Sequence, residues 1–228
     1  MQNTYSPMLL AIPAAFSLLL ACQEPVAPAP PPITGQGPGT VDDWRKTDTL
    51  LAMMGDLRGR RVADLFAGDG HYTLALLKAG ANVIAVENDQ ARLDALVAKA
   101  QAAGFGPERL TTRLTLEGEP GIAPGEVDRA LCTRTYLTIP ETVRIPYFAK
   151  VHGALGHEGQ LFIVEFLPTQ TPMGPPLELR TNEDLIMDEL TPAGFSDVIS
   201  WSSKLPYRYV IQAMELANPP QPGEDDGE

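Results

Sequence analysis

A run of small and acidic residues in the N-terminal half of the chain has the composition of a ligand-binding loop. It reads DLFAGDG over residues 64–70 and lies between an apolar run and a helix-like segment. Glycine lets a backbone approach a ligand closely, and the helix that follows presents unpaired N–H groups. Glu87 ends the next apolar run, where a carboxylate can accept both hydroxyls of a ribose. Together these residues indicate a site for a nucleoside-bearing ligand.

The residue at position 73 helps to decide which ligand that is. A dinucleotide fingerprint, GxGxxG, requires glycine there, and this chain has Thr73. A nicotinamide enzyme is therefore the less favoured alternative. Asp64 at the strand end would not suit a pyrophosphate, whereas an acid at that place suits a ligand with a cationic amino group.

The segment VADLFAGDGHYT, residues 62–73, resembles motif I of the class I S-adenosylmethionine-dependent methyltransferases, commonly written (D/E)xGxGxG. Asp64 matches the acid, Gly68 and Gly70 match the later glycines, and Phe66 replaces the first glycine. The resemblance covers residues 42–216. It implies S-adenosylmethionine as the cofactor.

The resemblance also implies roles for individual residues. The cofactor-binding set is Asp64, Ala67, Gly68, Gly70, Glu87 and Glu119. Glu87 would hold the ribose, and Glu119, in LEGEPG, would lie beside the adenine. The structural alternatives are an acid that caps its own turn for Asp64 and exposed loop acids for Glu87 and Glu119.

The residues that would assist methyl transfer are less well defined. Such a transfer mainly requires positioning. The Asn/Asp-Pro-Pro-Tyr motif of many DNA and protein methyltransferases is missing after the fourth predicted strand, where the chain reads CTRTYLT over residues 132–138. The catalytic candidates are Tyr136 and His71, with a half-buried aromatic and a helix-start residue as the structural alternatives. Cys132 is interpreted as a small core residue.

A narrower resemblance is to small exported methyltransferase-like proteins, through MGPP at 173–176 and LPYRY at 205–209. Those proteins read DTYHH after the fourth strand. Arg134 replaces the acid in this chain, and residues 137–138, Leu and Thr, replace two histidines that can act as general bases. The difference keeps open a non-catalytic binding protein with the same fold.

Apolar strands and helices alternate around these residues. The sequence predicts a helix capped by Asp42 or Asp43, a βαβα run through residue 104, and further strands at LTTRLTL and VDRALCT. A helix over 141–155, a turn at GHEG, and the strand QLFIVEF follow. The last two strands, FSDVISW and YRYVIQAMEL, are joined so closely that they form an antiparallel hairpin. The predicted fold is α/β, a Rossmann-like seven-stranded, mostly parallel sheet with helices on both faces.

Composition limits the partners. The 228 residues carry a formal net charge of −12, which disfavours nucleic acid, because affinity for it comes largely from Lys and Arg. Two cysteines and three histidines form no zinc-binding spacing. The expected substrate is a small molecule, with no metal.

The N-terminal sequence has the features of a targeting signal. Residues 8–21 are mostly apolar but too few to span a bilayer, and they end in LLAC, which resembles a bacterial lipoprotein box. The predicted organisation is a signal peptide at 1–21, a Pro/Gly-rich tether at 22–41 beginning with a lipid-carrying Cys22, the methyltransferase-like domain at 42–217 and an acidic tail at 218–228. This implies a lipid-anchored protein of the bacterial cell envelope, at the outer membrane facing the periplasm. The alternatives are an N-terminal helix packed on the domain and a Pro-rich ligand for a partner domain.

Overall fold

The structure is a computed structural model, and it describes residues 44–116 and 118–215. The predicted signal peptide, Cys22, the tether and the acidic tail lie outside the described residues. So do Asp42 and Asp43, the predicted helix caps.

Strands and helices alternate along the described residues. The strands are β1 (Arg61–Leu65), β2 (Asn82–Glu87), β3 (Leu110–Leu114), β4 (Val127–Thr133), β5 (Leu155–Phe166), β6 (Asp197–Leu205) and β7 (Arg208–Met214). The α-helices are α1 (Thr47–Met53), α2 (His71–Lys78), α3 (Gln90–Ala102), α4 (Glu141–Ala154) and α5 (Glu183–Leu190). Short 3-10 turns cover Tyr136–Thr138 and Leu177–Leu179.

The seven strands form one sheet in the order β3-β2-β1-β4-β5-β7-β6. The first five are parallel to their neighbours, and β7 lies antiparallel between β5 and β6. The predicted fold class and the C-terminal hairpin are confirmed. Because β1, β2, β4 and β5 run in one direction, their carboxyl ends share one edge of the sheet, where ligands of such folds bind.

Both faces of the inner strands are buried, which explains why these strands are nearly continuous apolar runs. In β1, Ala63 and Leu65 face a core that includes residues of α4 and α5. Val62 faces a second core with residues of α1, α2 and α3. Successive side chains of a strand point to opposite faces of the sheet, so one short strand contributes side chains to the cores under both helical layers.

The predicted turn at GHEG was wrong, because residues 156–159 lie inside β5. Val127 pairs with Leu155, and the next β4 partner, Arg129, pairs with Gln160. The extra residues on the β5 side have no partner in β4 and form a β-bulge. Glu158 has a positive φ of 58° at this place. The sequence GHEG is typical of a turn, and here it forms a bulge.

Among the described residues, no helix has both the length and the apolarity needed to cross a membrane.

Candidate functional site

Asp64 lies near the carboxyl end of β1, and its side chain is almost completely buried. Burial raises the pKa of this carboxyl group to about 7, although a 2.5 Å hydrogen bond from the Thr73 hydroxyl opposes the rise. The charges of Asp69 and Glu87 raise the pKa further. Within residues 44–116 and 118–215, no Lys or Arg forms an ion pair with Asp64, so its carboxyl group is a buried acid without a cation.

The loop between β1 and α2 is held in an unusual backbone conformation. Phe66, Gly68 and Gly70 have φ angles of 57°, 57° and 78°, in the left-handed region that favours glycine. The Phe66 ring packs on Tyr147, with ring centroids 6.0 Å apart. A Cβ on Gly70 would lie 2.4 Å from Cδ1 of Leu96. The φ of Gly70 thus favours glycine, and an added Cβ would have to displace the end of the Leu96 side chain of α3.

Ala67 joins this loop to the neighbouring strand, because its N–H donates to the Val86 carbonyl at 3.0 Å. Its own carbonyl accepts from the Gly70 N–H at 2.9 Å. These bonds place the loop directly over the ends of β1 and β2.

Glu87 is the last residue of β2 and lies beside the loop between β1 and α2. Its buried carboxylate accepts hydrogen bonds from the N–H groups of Gly68 at 2.8 Å and of Asn88 at 3.0 Å. Arg92 of α3 lies 3.7 Å from the same carboxylate. The structure thus brings Asp64, Ala67, Gly68, Gly70 and Glu87 together at the predicted edge of the sheet.

Asp69 and His71 tie the loop to the N-terminal segment. Asp69 accepts a hydrogen bond from the His71 N–H at 3.1 Å and lies 3.5 Å from Arg45. Burial would raise the pKa of Asp69, but this bond and the nearby charges of Arg45 and Arg134 hold it below its ordinary value. The His71 ring nitrogen Nε2 lies 2.7 Å from the Thr47 hydroxyl oxygen. His71 stays a catalytic candidate, with its ring in contact with α1.

Tyr136 is fully buried in the core. Its hydroxyl donates to Glu189 of α5, its N–H donates to Glu165 at 2.9 Å, and Arg144 of α4 lies over its ring. Burial, followed by the bond to Glu189, raises the pKa of the Tyr136 hydroxyl. This arrangement ties the segment after β4 to two helices. A direct role of the hydroxyl in transfer stays a prediction.

Glu119 lies in the loop between β3 and β4. It is half exposed, and its carboxylate forms a 2.5 Å ion pair with Lys150 of α4. A contact between Glu119 and an adenine stays a prediction. Cys132 is completely buried in β4, and burial raises the pKa of its thiol to about 12, which matches the interpretation of a core residue.

Three further residues reach the same edge and were missed in the sequence. Thr73 binds Asp64, as described above. Glu165, near the end of β5, is buried, and burial raises its pKa to about 7. Arg208, at the start of β7, is fully buried and donates to the Tyr72 hydroxyl at 2.8 Å. Glu165 and Arg208 could have been found as single charged residues within the apolar strand segments VEF and YRYV.

No group of three or more His, Cys, Asp or Glu side chains in the described part of the chain is arranged to hold a metal ion. The site consists of backbone N–H groups, buried acids and arginines. These groups suit an organic ligand with hydroxyl, amino and acidic substituents.

Comparisons with known proteins agree with this geometry at the level of the fold. No family model matches the chain. A ribosomal RNA small subunit methyltransferase A of Sphingopyxis alaskensis is 41% identical over 66 residues, which cover 29% of this chain and 24% of that protein. The chain thus matches about a quarter of the length of this curated relative.

Solved structures match more of the chain. An S-adenosylmethionine-dependent methyltransferase from Aquifex aeolicus has a TM-score of 0.64 at 19% identity and covers 73% of this chain and 88% of its own. The magnesium protoporphyrin IX methyltransferase of Synechocystis, solved with bound S-adenosylhomocysteine, has a TM-score of 0.59 at 18% identity and covers 77% and 84%. The described chain therefore has the fold of the class I S-adenosylmethionine-dependent methyltransferases.

Proposed function

We propose that this protein binds S-adenosylmethionine and transfers its methyl group to a small-molecule acceptor. We call the loop between β1 and α2, residues 66–70, the glycine loop. The observation that carries the proposal is the placement of two buried acids, Asp64 and Glu87, on either side of this loop at one edge of the sheet. The fold and the motif I resemblance support the same cofactor.

The residues present fit this cofactor. A buried carboxyl group without a cation, at Asp64, suits the amino group of the methionine part, because an opposite charge stabilises the ionised acid. Glu87 can accept the ribose hydroxyls in place of the Gly68 N–H. At Gly68 and Gly70 the loop has no side chain, so its backbone can approach a ligand closely.

When bound, the cofactor supplies an electrophilic methyl group on a sulfonium. The chain's own part is to bind and orient: Asp64 would hold the amino group of the ligand, Glu87 would hold its ribose hydroxyls, and the backbone of the loop would lie against the ligand. Positioning of this kind accounts for a large share of the rate of an in-line displacement. No catalytic base is needed where the acceptor atom is already nucleophilic.

Calorimetry with S-adenosylhomocysteine tests the proposal. We expect the wild-type protein to bind it and Glu87→Ala to bind at least about tenfold more weakly, since hydrogen bonds to a charged group contribute about 1.5–3 kcal/mol. Arg58→Gln is the matched control, because the Arg58 side chain is 82% exposed and its one ion-pair partner among the described residues is Asp56. A wild-type protein that does not bind S-adenosylhomocysteine would refute the proposal.

A non-catalytic binding protein is the second candidate. Both catalytic candidates have partners inside the fold, Tyr136 with Glu189 and His71 with Thr47, which favours structural roles for them. Incubation of the protein with S-adenosylmethionine and a small-molecule library distinguishes the two functions. Release of S-adenosylhomocysteine above the background of Asp64→Asn would exclude the non-catalytic function.

We also propose that the protein is anchored to the bacterial envelope through a lipid on Cys22, facing the periplasm at the outer membrane. LLAC before a Pro/Gly-rich stretch supports this location. Mass spectrometry of protein from the membrane fraction should find acyl groups on Cys22, and Cys22→Ser should abolish them. An unprocessed N-terminus on the membrane-bound protein would contradict the anchor.

A further inference from the structure

Arginine side chains gather at the carboxyl edge of the sheet in a chain whose net charge is −12. Arg45 lies 3.5 Å from Asp69 of the glycine loop. The charge of Arg134, which follows β4, acts on Asp69 and on Arg208. Arg45 and Arg134, from segments remote in sequence, thus both act on one loop carboxylate, and Arg208 lies within the field of both.

Arg134 is placed over the edge by an unfavourable backbone conformation. Its φ is 61°, in the left-handed region that an L-residue rarely adopts. The conformation is held by a 2.9 Å hydrogen bond from the Arg134 N–H to the Val164 carbonyl of β5. The charge of Arg134 also acts on Glu165, which lies near the end of β5, the strand that pairs with β4.

The Arg134 guanidinium has unused hydrogen-bonding capacity. Across residues 44–116 and 118–215, no group accepts a hydrogen bond from it. Of the two acids near it, Asp69 already binds the His71 N–H and Arg45. The other, Glu165, accepts the Tyr136 N–H.

Arg208 strengthens the same field from inside the protein. It is fully buried, it donates to Tyr72 and to the carbonyl groups of Trp44 and Arg45, and its Nε has no partner among the described residues. No carboxylate in the described chain forms an ion pair with it. A buried cation of this kind is stabilised by a nearby anion.

We propose that the methyl acceptor carries an anionic group, a carboxylate or a phosphate, that binds the Arg134 guanidinium in the field of Arg45 and Arg208. This inference rests on the proposed function, because the arginines lie beside the loop assigned to the cofactor. A planar guanidinium binds either anion through two parallel hydrogen bonds. The carboxylate of the cofactor offers the same chemistry, and the experiment separates these two sources.

Nuclear magnetic resonance titrations of the protein saturated with S-adenosylhomocysteine test the inference. The probes are benzoate and inorganic phosphate, with benzamide as the uncharged counterpart of benzoate. We expect at least one anion, and not benzamide, to shift the spectrum of the wild type. Arg134→Gln should weaken that binding at least about tenfold, Arg134→Lys should weaken it less, and Arg58→Gln should leave it unchanged.

Affinity for S-adenosylhomocysteine and for 5′-methylthioadenosine, which lacks the amino-acid part, identifies the source of the anion. We expect Arg134→Gln to bind both within about twofold of the wild type. A selective loss of S-adenosylhomocysteine affinity would assign the anion to the cofactor and overturn the inference. Equal binding of the anions by Arg134→Gln and the wild type, or no anion binding by the wild type, would overturn it as well.

Failure of the proposed function has a different signature, because the wild type would then not bind S-adenosylhomocysteine. The titrations with benzoate and phosphate are in that case run on the protein alone. They still decide whether Arg134 binds an anion. Thermal unfolding of each variant shows that the substituted proteins are folded.

Discussion

At the scale of single residues, the candidate site depends on two buried acids with different partners. Glu87 accepts two backbone N–H groups. Asp64 has a single hydroxyl donor, Thr73, and a pKa raised to about 7 by burial. A ligand cation would therefore change the charge state of Asp64, and this effect is measurable.

Binding of S-adenosylhomocysteine should depend on pH through Asp64. The free protein holds a proton on this carboxyl group below about pH 7, whereas the amino group of the ligand favours the ionised form. Binding then releases a proton, and affinity should rise by up to about tenfold per pH unit between pH 5 and 7 and level off above.

Calorimetry in buffers of different ionisation enthalpy measures the released proton. Asp64→Asn should bind more weakly and lose most of the pH dependence. An unchanged pH dependence in Asp64→Asn would show that another group carries the proton.

At the scale of elements, the turn from β1 into α2 is fixed by the neighbouring helix α3. Gly70 is the N-cap of α2, with φ of 78°, and α3 passes so close that a Cβ there would meet Leu96. Gly70 thus lies where the loop and α3 meet.

Gly70→Ala should destabilise the protein more than Gly55→Ala. Gly55 has a similar φ of 82° but nothing within 4 Å of an added Cβ, so it reports backbone strain alone. We expect about 1 kcal/mol of destabilisation for Gly55→Ala and about 1–3 kcal/mol more for Gly70→Ala, from overpacking against Leu96. Urea denaturation measures both, and equal values would show that α3 moves away freely.

A second tie between elements is the Tyr136 hydroxyl, which joins the segment after β4 to α5 through Glu189. Tyr136→Phe should lower the free energy of unfolding by about 1–3 kcal/mol, because it leaves a partly buried carboxylate without this donor. Affinity for S-adenosylhomocysteine should not change.

The matched control is Tyr147→Phe, since Tyr147 is equally buried and no described residue accepts a hydrogen bond from its hydroxyl. We expect it to cost less than Tyr136→Phe in urea denaturation. Loss of methyl transfer by Tyr136→Phe without loss of stability would instead support a catalytic role.

At the scale of the whole molecule, buried acids and ion-paired acids have opposite effects on how the free energy of unfolding changes with pH. Burial raises the pKa of Asp64 and Glu165 from 3.8 and 4.5 to about 7. Their contribution to stability is therefore complete below the unfolded pKa values and is lost as the pH rises through 7. Arg113 lowers the pKa of Glu126 from 4.5 to about 2, so its contribution is present above 4.5 and is lost as the pH falls toward 2.

These three groups together should therefore stabilise the protein most near pH 4.5 and progressively less between pH 4.5 and 7. We expect the free energy of unfolding to fall by at least about 1 kcal/mol from pH 5.5 to pH 8. The double variant Asp64→Asn, Glu165→Gln should remove most of this fall, as measured by urea denaturation at both pH values. Greater stability of the wild type at pH 8 than at pH 5.5 would contradict the assignment.

The sequence alone determined the order of elements, the glycine loop and the position of Glu87. These features follow from local rules: apolar strands alternate with helices, glycine marks the left-handed turn, and an acid ends the second strand. The turn predicted at GHEG failed because a bulge and a turn have the same local composition, and only pairing with β4 distinguishes them.

The tertiary structure decided the partners of the charged and hydroxyl groups. Tyr136 and Glu189 are 53 positions apart, and Arg208 and Tyr72 are 136 apart. Such pairs depend on where helices cross the sheet, which local composition does not encode. The burial that raises the pKa values of Asp64 and Glu165 is likewise a property of the packed molecule, and so is the placement of Arg45 and Arg134 near Asp69.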